Sequence, residues 1–99
     1  MKRTERRRRY YALVDKLTAE KKFLPIYGYT IDHIVPKSFG FKYDIPAELI
    51  ASIDNLQFLT LAENVAKGTR MTPRGIENLL KWGYEDMAYV EQQKLKRVR

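Results

Sequence analysis

The sequence predicts an α+β fold in one domain, with two short strands set among helices. Three observations carry this. The runs "YTIDHIV" (29–35) and "NLQFL" (55–59) have the β-branched and aromatic content of strands. Around them recur helix-start and helix-stop residues, Thr60 with Glu63, Thr72 with Pro73, Gly68 and Gly83. Ninety-nine residues make a single domain with a modest core (1–99).

The elements follow in order. Residues 4–22 read as a helix, with Thr4 as N-cap and Tyr10, Leu13, Val14 and Leu17 at helical spacing. Pro25 and Gly28 close it. The first strand covers 29–35, and Pro36 ends it. "KSFGFKYD" reads as a loop, and "IPAELIAS" as a short helical turn opened by Pro46. The second strand, 55–59, puts Leu56 and Phe58 on one face. Thr60 and Glu63 form a T-x-x-E capping box, so a helix begins at 61 and stops at Gly68. Thr72 and Pro73 open the next helix, Gly83 ends it, and "YEDMAYVEQQKLKRVR" is the last, with a basic tail. Trp82, Tyr84 and Tyr89 are expected in the core.

Charge is distributed unevenly. The net charge is +7, with nine Lys and Arg among residues 1–22 and four among 94–99, whereas the middle is mildly acidic. Basic ends suit a polyanion, most simply nucleic acid, and "RRRRYY" at 6–11 sets aromatic rings beside Arg6, Arg7, Arg8 and Arg9 for phosphate contact and stacking. The chain has no cysteine, which excludes disulfides and thiolate zinc sites. No apolar run approaches the roughly 20 residues that span a bilayer, so no membrane role is expected.

His33 is the only histidine. A strand alternates its side chains, so Asp32 and His33 face opposite ways and cannot both be buried on one apolar face. One of them is solvated or used.

Three fragments in order, "DHIVPKSF" (32–39), "DNLQFLT" (54–60) and "ENVAKG" (63–68), resemble the HNH nucleases of the ββα-metal fold. The pattern is similar to small phage HNH endonucleases and to the HNH domain of RNA-guided CRISPR effectors, and spans residues 29–70. The resemblance implies a hairpin-plus-helix core flanked by the basic N-terminal helix (1–22) and C-terminal helices (72–99). It implies that His33 is the general base, that Asp32 is a metal ligand, and that Asn55 orders the loop and the histidine ring. Asn64 stands where the name-giving pattern has histidine, giving an H-N-N variant with Asn64 as second ligand. Asp54 and Glu63 are the rival ligands, Glu63 being expected in the capping box instead.

The chemistry agrees with these roles. A neutral imidazole activates water near pH 7. One carboxylate and one amide oxygen are hard ligands that suit a single Mg²⁺ or Mn²⁺ ion. Lys67, three residues after Asn64 on one helix face, and Arg70 are expected at the phosphates, with Arg74 a weaker candidate. The expected function is metal-dependent cleavage of double-stranded DNA by a protein of the bacterial or phage-infected cytoplasm, acting as a homodimer or within a partner complex. The alternatives are an inactive nucleic-acid-binding module of the same fold and a nuclease subunit targeted by a partner.

Overall fold

In the computed structural model, which describes residues 1–97, helix α1 (Arg3–Ala19) leads to strand β1 (Tyr29–His33). Helices α2 (Lys37–Lys42) and α3 (Ala47–Ile50) and a single 3₁₀ turn (Ile53–Asn55) follow. Strand β2 (Leu56–Thr60) then runs directly into helix α4 (Leu61–Lys67), and α5 (Pro73–Lys81) and α6 (Glu85–Arg97) complete the chain. The fold is α+β, with β1 and β2 antiparallel in the register Tyr29↔Thr60 to His33↔Leu56. None of the described helices is long and apolar enough to cross a membrane.

The capping signals work as their chemistry requires. The Thr60 hydroxyl accepts from Glu63 N at 3.1 Å, and Glu63 Oε1 accepts from Thr60 N at 2.9 Å. Gly68 ends α4 at φ 55°, a conformation that favours glycine. Thr72 accepts from Gly75 N at 3.2 Å at the start of α5.

Several expectations are corrected. Helix α1 begins at Arg3, before Thr4, with Lys2 as an N-cap that makes no side-chain bond. Its anchoring comes from its second half, where Val14 and Thr18 are buried and the Tyr10 hydroxyl donates to Ile45 O at 2.7 Å. Burial pushes the Tyr10 phenol pKa up. Leu13, read as part of the apolar face, is exposed. Strand β1 stops at His33, and Ile34 and Val35 pass into the core.

The stretch read as a loop holds α2. Glycine disfavours a helix interior, but here it permits a close contact. A Cβ on Gly40 would lie 2.7 Å from Ile50 Cγ1, so only glycine lets α2 seat against α3 and Tyr10 of α1.

Val14, Val35, Ile45, Ile50 and Leu79 make the fully buried centre of the core, joining α1 and α3 to α5. Trp82 and Tyr84 pack against it as expected. Tyr89 does not: the residue is 64% exposed on α6. Of the basic tail, Lys94, Lys96 and Arg97 lie on α6, while residues 98–99 lie outside the described residues.

Candidate functional site

The end of β1 delivers Asp32 and His33 to the floor of an open cleft of about 710 Å³. Helix α1 forms one wall with Tyr11, Asp15 and Thr18, extended by Lys22 just after it, and α4 contributes Asn64 and Lys67 to the other. Lys37 at the start of α2 closes one end and forms an ion pair with Asp15 at 2.8 Å.

Asp32 is 8% exposed. Its register partner Gln57 donates through Nε2 to Oδ2 at 2.9 Å, and Arg74 Nη1 in turn donates to Gln57 Oε1 at 3.2 Å. Lys67, also 8% exposed, straddles the carboxylate, with Nζ at 3.2 Å from Oδ2 and 3.4 Å from Oδ1. The same ammonium donates to His33 O at 3.2 Å. Charge-assisted N–H···O contacts normally close to about 2.7–2.9 Å. This buried pair is therefore loosely made.

His33 is half-buried, and its Nε2 lies 3.0 Å from Thr18 Oγ1 on α1. Burial holds the imidazole below its ordinary pKa, and the Lys37 ammonium pushes the same way. Asp15 and Asp32 pull it back up, Asp15 more strongly. The ring is thus kept in its neutral, proton-accepting form to lower pH than a free histidine.

Asn55 stands beneath the site and does not line the cleft. It is fully buried, and its side chain makes four hydrogen bonds. Oδ1 accepts from Val35 N at 2.8 Å and from Asn78 Nδ2 at 3.0 Å, while Nδ2 donates to Ile50 O at 2.8 Å and Val35 O at 3.1 Å. Its backbone O accepts from Ile34 N at 2.7 Å. Asn55 thus fixes the backbone just after His33. The side chain hydrogen-bonded to the ring itself is Thr18.

Asn64 donates through Nδ2 to Thr30 Oγ1 at 3.0 Å, which leaves its amide oxygen as the donor atom for a ligand. Glu63 is spent in the capping box, and Asp54 pairs with Lys81 of α5 at 2.8 Å, so neither rival carboxylate lines the cleft.

Arg6, Arg7, Arg8 and Arg9 are exposed on the first turns of α1. Arg7 sits over the Tyr11 ring at 5.2 Å, and Arg6 over Phe41 at 6.0 Å. Arg70 caps the end of α4 instead of standing free, donating to Ala66 O at 2.8 Å and Lys67 O at 3.1 Å.

Sequence reasoning missed Thr18 and Gln57. Thr18 carries a signal, since it is the polar member of the buried stripe that includes Val14 and Leu17. Gln57 becomes visible only once the strand register places it opposite Asp32.

Among the described residues, no three His, Cys, Asp or Glu converge on a metal-binding arrangement. Two carboxylates line the cleft; Asp15 is paired with Lys37, which leaves Asp32 and the amide oxygen of Asn64 as the donor set. Asp32 is oriented by Gln57 and paired with Lys67 through contacts of 3.2–3.4 Å. That set fits a hard divalent ion whose remaining ligands are waters or substrate oxygens. Comparison of the chain with protein-family models, with curated proteins and with solved structures returns no match.

Proposed function

We propose that the protein is a metal-dependent DNA endonuclease of the HNH type, with β1, β2 and α4 as its ββα-metal core. The observation that carries this reading is the convergence of His33, Asp32, Asn64 and Lys67 on one open cleft, with the imidazole held neutral. A base, two hard oxygen donors and a cation are what hydrolysis of a phosphodiester requires.

His33 takes a proton from water as the water oxygen adds to phosphorus. The bond from phosphorus to the 3′ oxygen breaks, and that oxygen takes a proton from solvent. The products carry 5′-phosphate and 3′-hydroxyl ends. Asp32 and Asn64 would hold one Mg²⁺ or Mn²⁺ ion, which supplies charge relief to the phosphoryl oxygens and the leaving oxygen. Asn55 keeps the end of β1 in place. The arginines of α1 hold duplex phosphates beside the cleft, which positions the substrate without reading its sequence.

One observation favours a second reading. Lys67 already neutralises Asp32, and a binding module without turnover would need that pairing in place of an ion. Supercoiled plasmid incubated with the purified chain separates the two. Nicking or linearisation with Mg²⁺ or Mn²⁺, lost in EDTA, supports the nuclease. Retarded but intact plasmid under every condition supports the binding module.

A further inference from the structure

We propose that Thr18, on α1, is a positioning residue that fixes the tautomer of His33 and leaves Nδ1 as its basic nitrogen. This rests on His33 acting as the general base. It makes α1 part of the catalytic apparatus as well as a carrier of arginines.

A threonine hydroxyl has one proton. The Thr18 Oγ1 lies 2.8 Å from Val14 O, one turn back on α1. A carbonyl only accepts, so this bond spends the hydroxyl proton. The same Oγ1 lies 3.0 Å from His33 Nε2, and with its proton committed it acts there as an acceptor. Nε2 therefore carries the ring proton and Nδ1 the lone pair. Thr18 is buried and its helix is pinned one turn back by the core residue Val14 and, further back, by the Tyr10 hydroxyl on Ile45 O at 2.7 Å. The acceptor is thus held by packing and does not depend on substrate.

The other hydrogen bonds in the cleft leave this role to Thr18. Lys67 binds the His33 backbone carbonyl, and Asn55 binds the backbone of Val35. A base whose orientation is set by one neighbouring group behaves like other histidines held by a partner on the second ring nitrogen, where loss of that partner is costly.

The test is ¹⁵N NMR of the imidazole in the full chain at a pH where the ring is neutral. His33 is the only histidine, so the ring signals need no residue assignment, and the pattern of two-bond couplings to the ring C–H protons tells Nδ1 from Nε2. The expected spectrum of the wild type shows Nε2 protonated, with slow exchange of its proton, and Nδ1 unprotonated. Thr18→Val keeps the shape and removes the acceptor. It should lose the exchange protection and lower kcat for plasmid cleavage by roughly 10–100-fold with KM unchanged. Thr18→Ser should restore both. A wild-type ring protonated at Nδ1 overturns the proposal even if Thr18→Val fails to fold. So does a folded Thr18→Val with unchanged ring exchange. If the wild type shows the expected tautomer but cleaves nothing, the nuclease reading fails while the tautomer assignment stands.

Discussion

Two polar clusters flank the end of β1, and they are built in opposite ways. Around Asn55, four side-chain hydrogen bonds of 2.8–3.1 Å close on uncharged partners, and the residue is 0% exposed. Around Asp32, a buried carboxylate and a buried ammonium meet only at 3.2–3.4 Å, with one face open to a cleft. The first arrangement satisfies every polar atom and has nothing left to exchange. The second holds its charges through longer contacts beside a cleft, where an incoming ion or phosphate can compete for them. Scaffold and site are thus distinguishable by how completely their hydrogen bonds are made.

The largest effect is expected from the closed cluster. Asn55→Ala strands Val35 N, Val35 O and Ile50 O in the core, and each buried unpaired group costs about 1–3 kcal/mol. The loss should be about 4 kcal/mol, a large share of the roughly 5–15 kcal/mol that holds a domain of this size. Urea unfolding with an unchanged m-value reads it. A shift below about 1 kcal/mol would erase the contrast between the clusters.

His33→Ala, in the open cluster, should do the reverse. Cleavage falls by about 10²–10⁴, the usual loss on removing a general base, and the urea midpoint barely moves. DNA binding should persist. Wild-type cleavage by the alanine variant, with contaminating nuclease excluded, removes His33 from the mechanism. In the wild type, the acid limb of kcat/KM should lie below the ordinary histidine pKa, because burial and Lys37 disfavour the imidazolium and the base stays free to lower pH. An acid limb at or above the ordinary value would contradict that environment.

Much of the scaffold was legible because it rests on local rules. Thr60 with Glu63 and Thr72 with Pro73 set helix starts through contacts within one turn, and both work as read. Helix α2 was not legible, since Gly40 argues against a helix locally and the contact with Ile50 that requires glycine is ten residues away. Asp32, His33 and Asn64 were marked by motif spacing, and the structure brings them to one cleft. The environment that tunes them was hidden. Thr18 and Gln57 reach the site through long-range packing, which no local pattern encodes, and Lys67, expected at the phosphates, reaches the cleft but is buried against Asp32.

Lys67→Met tests whether the open cluster is poised for an ion. Removing one partner of a well-made buried pair typically costs 3–5 kcal/mol, and the long contacts here put the expected loss at about 2 kcal/mol. Divalent ions should recover more stability in this variant than in the wild type, because no ammonium competes for Asp32. Thermal unfolding across a Mn²⁺ titration measures it. Equal metal-dependent gains in both proteins would mean that Lys67 and an ion do not share the carboxylate.

Asn64→Ala carries the smallest expected effect and sharpens the comparison most. Its side chain makes one hydrogen bond, to Thr30, at the surface, so stability should change by less than about 0.5 kcal/mol. If its amide oxygen is a ligand, the Mg²⁺ concentration for half-maximal cleavage should rise, by roughly threefold to tenfold, because the ion then keeps only Asp32 from the protein. Asn64→His should fold and shift preference toward softer ions such as Ni²⁺ or Zn²⁺. Superimposable Mg²⁺ curves for wild type and Asn64→Ala would remove Asn64 from the ligand set. No rival carboxylate is free to take its place, since Glu63 is held by the Thr60 cap, Asp54 by Lys81 and Asp15 by Lys37. Asp32, oriented by Gln57 and paired with Lys67, would then be the one protein ligand of the ion, and waters and substrate oxygens would fill its remaining positions.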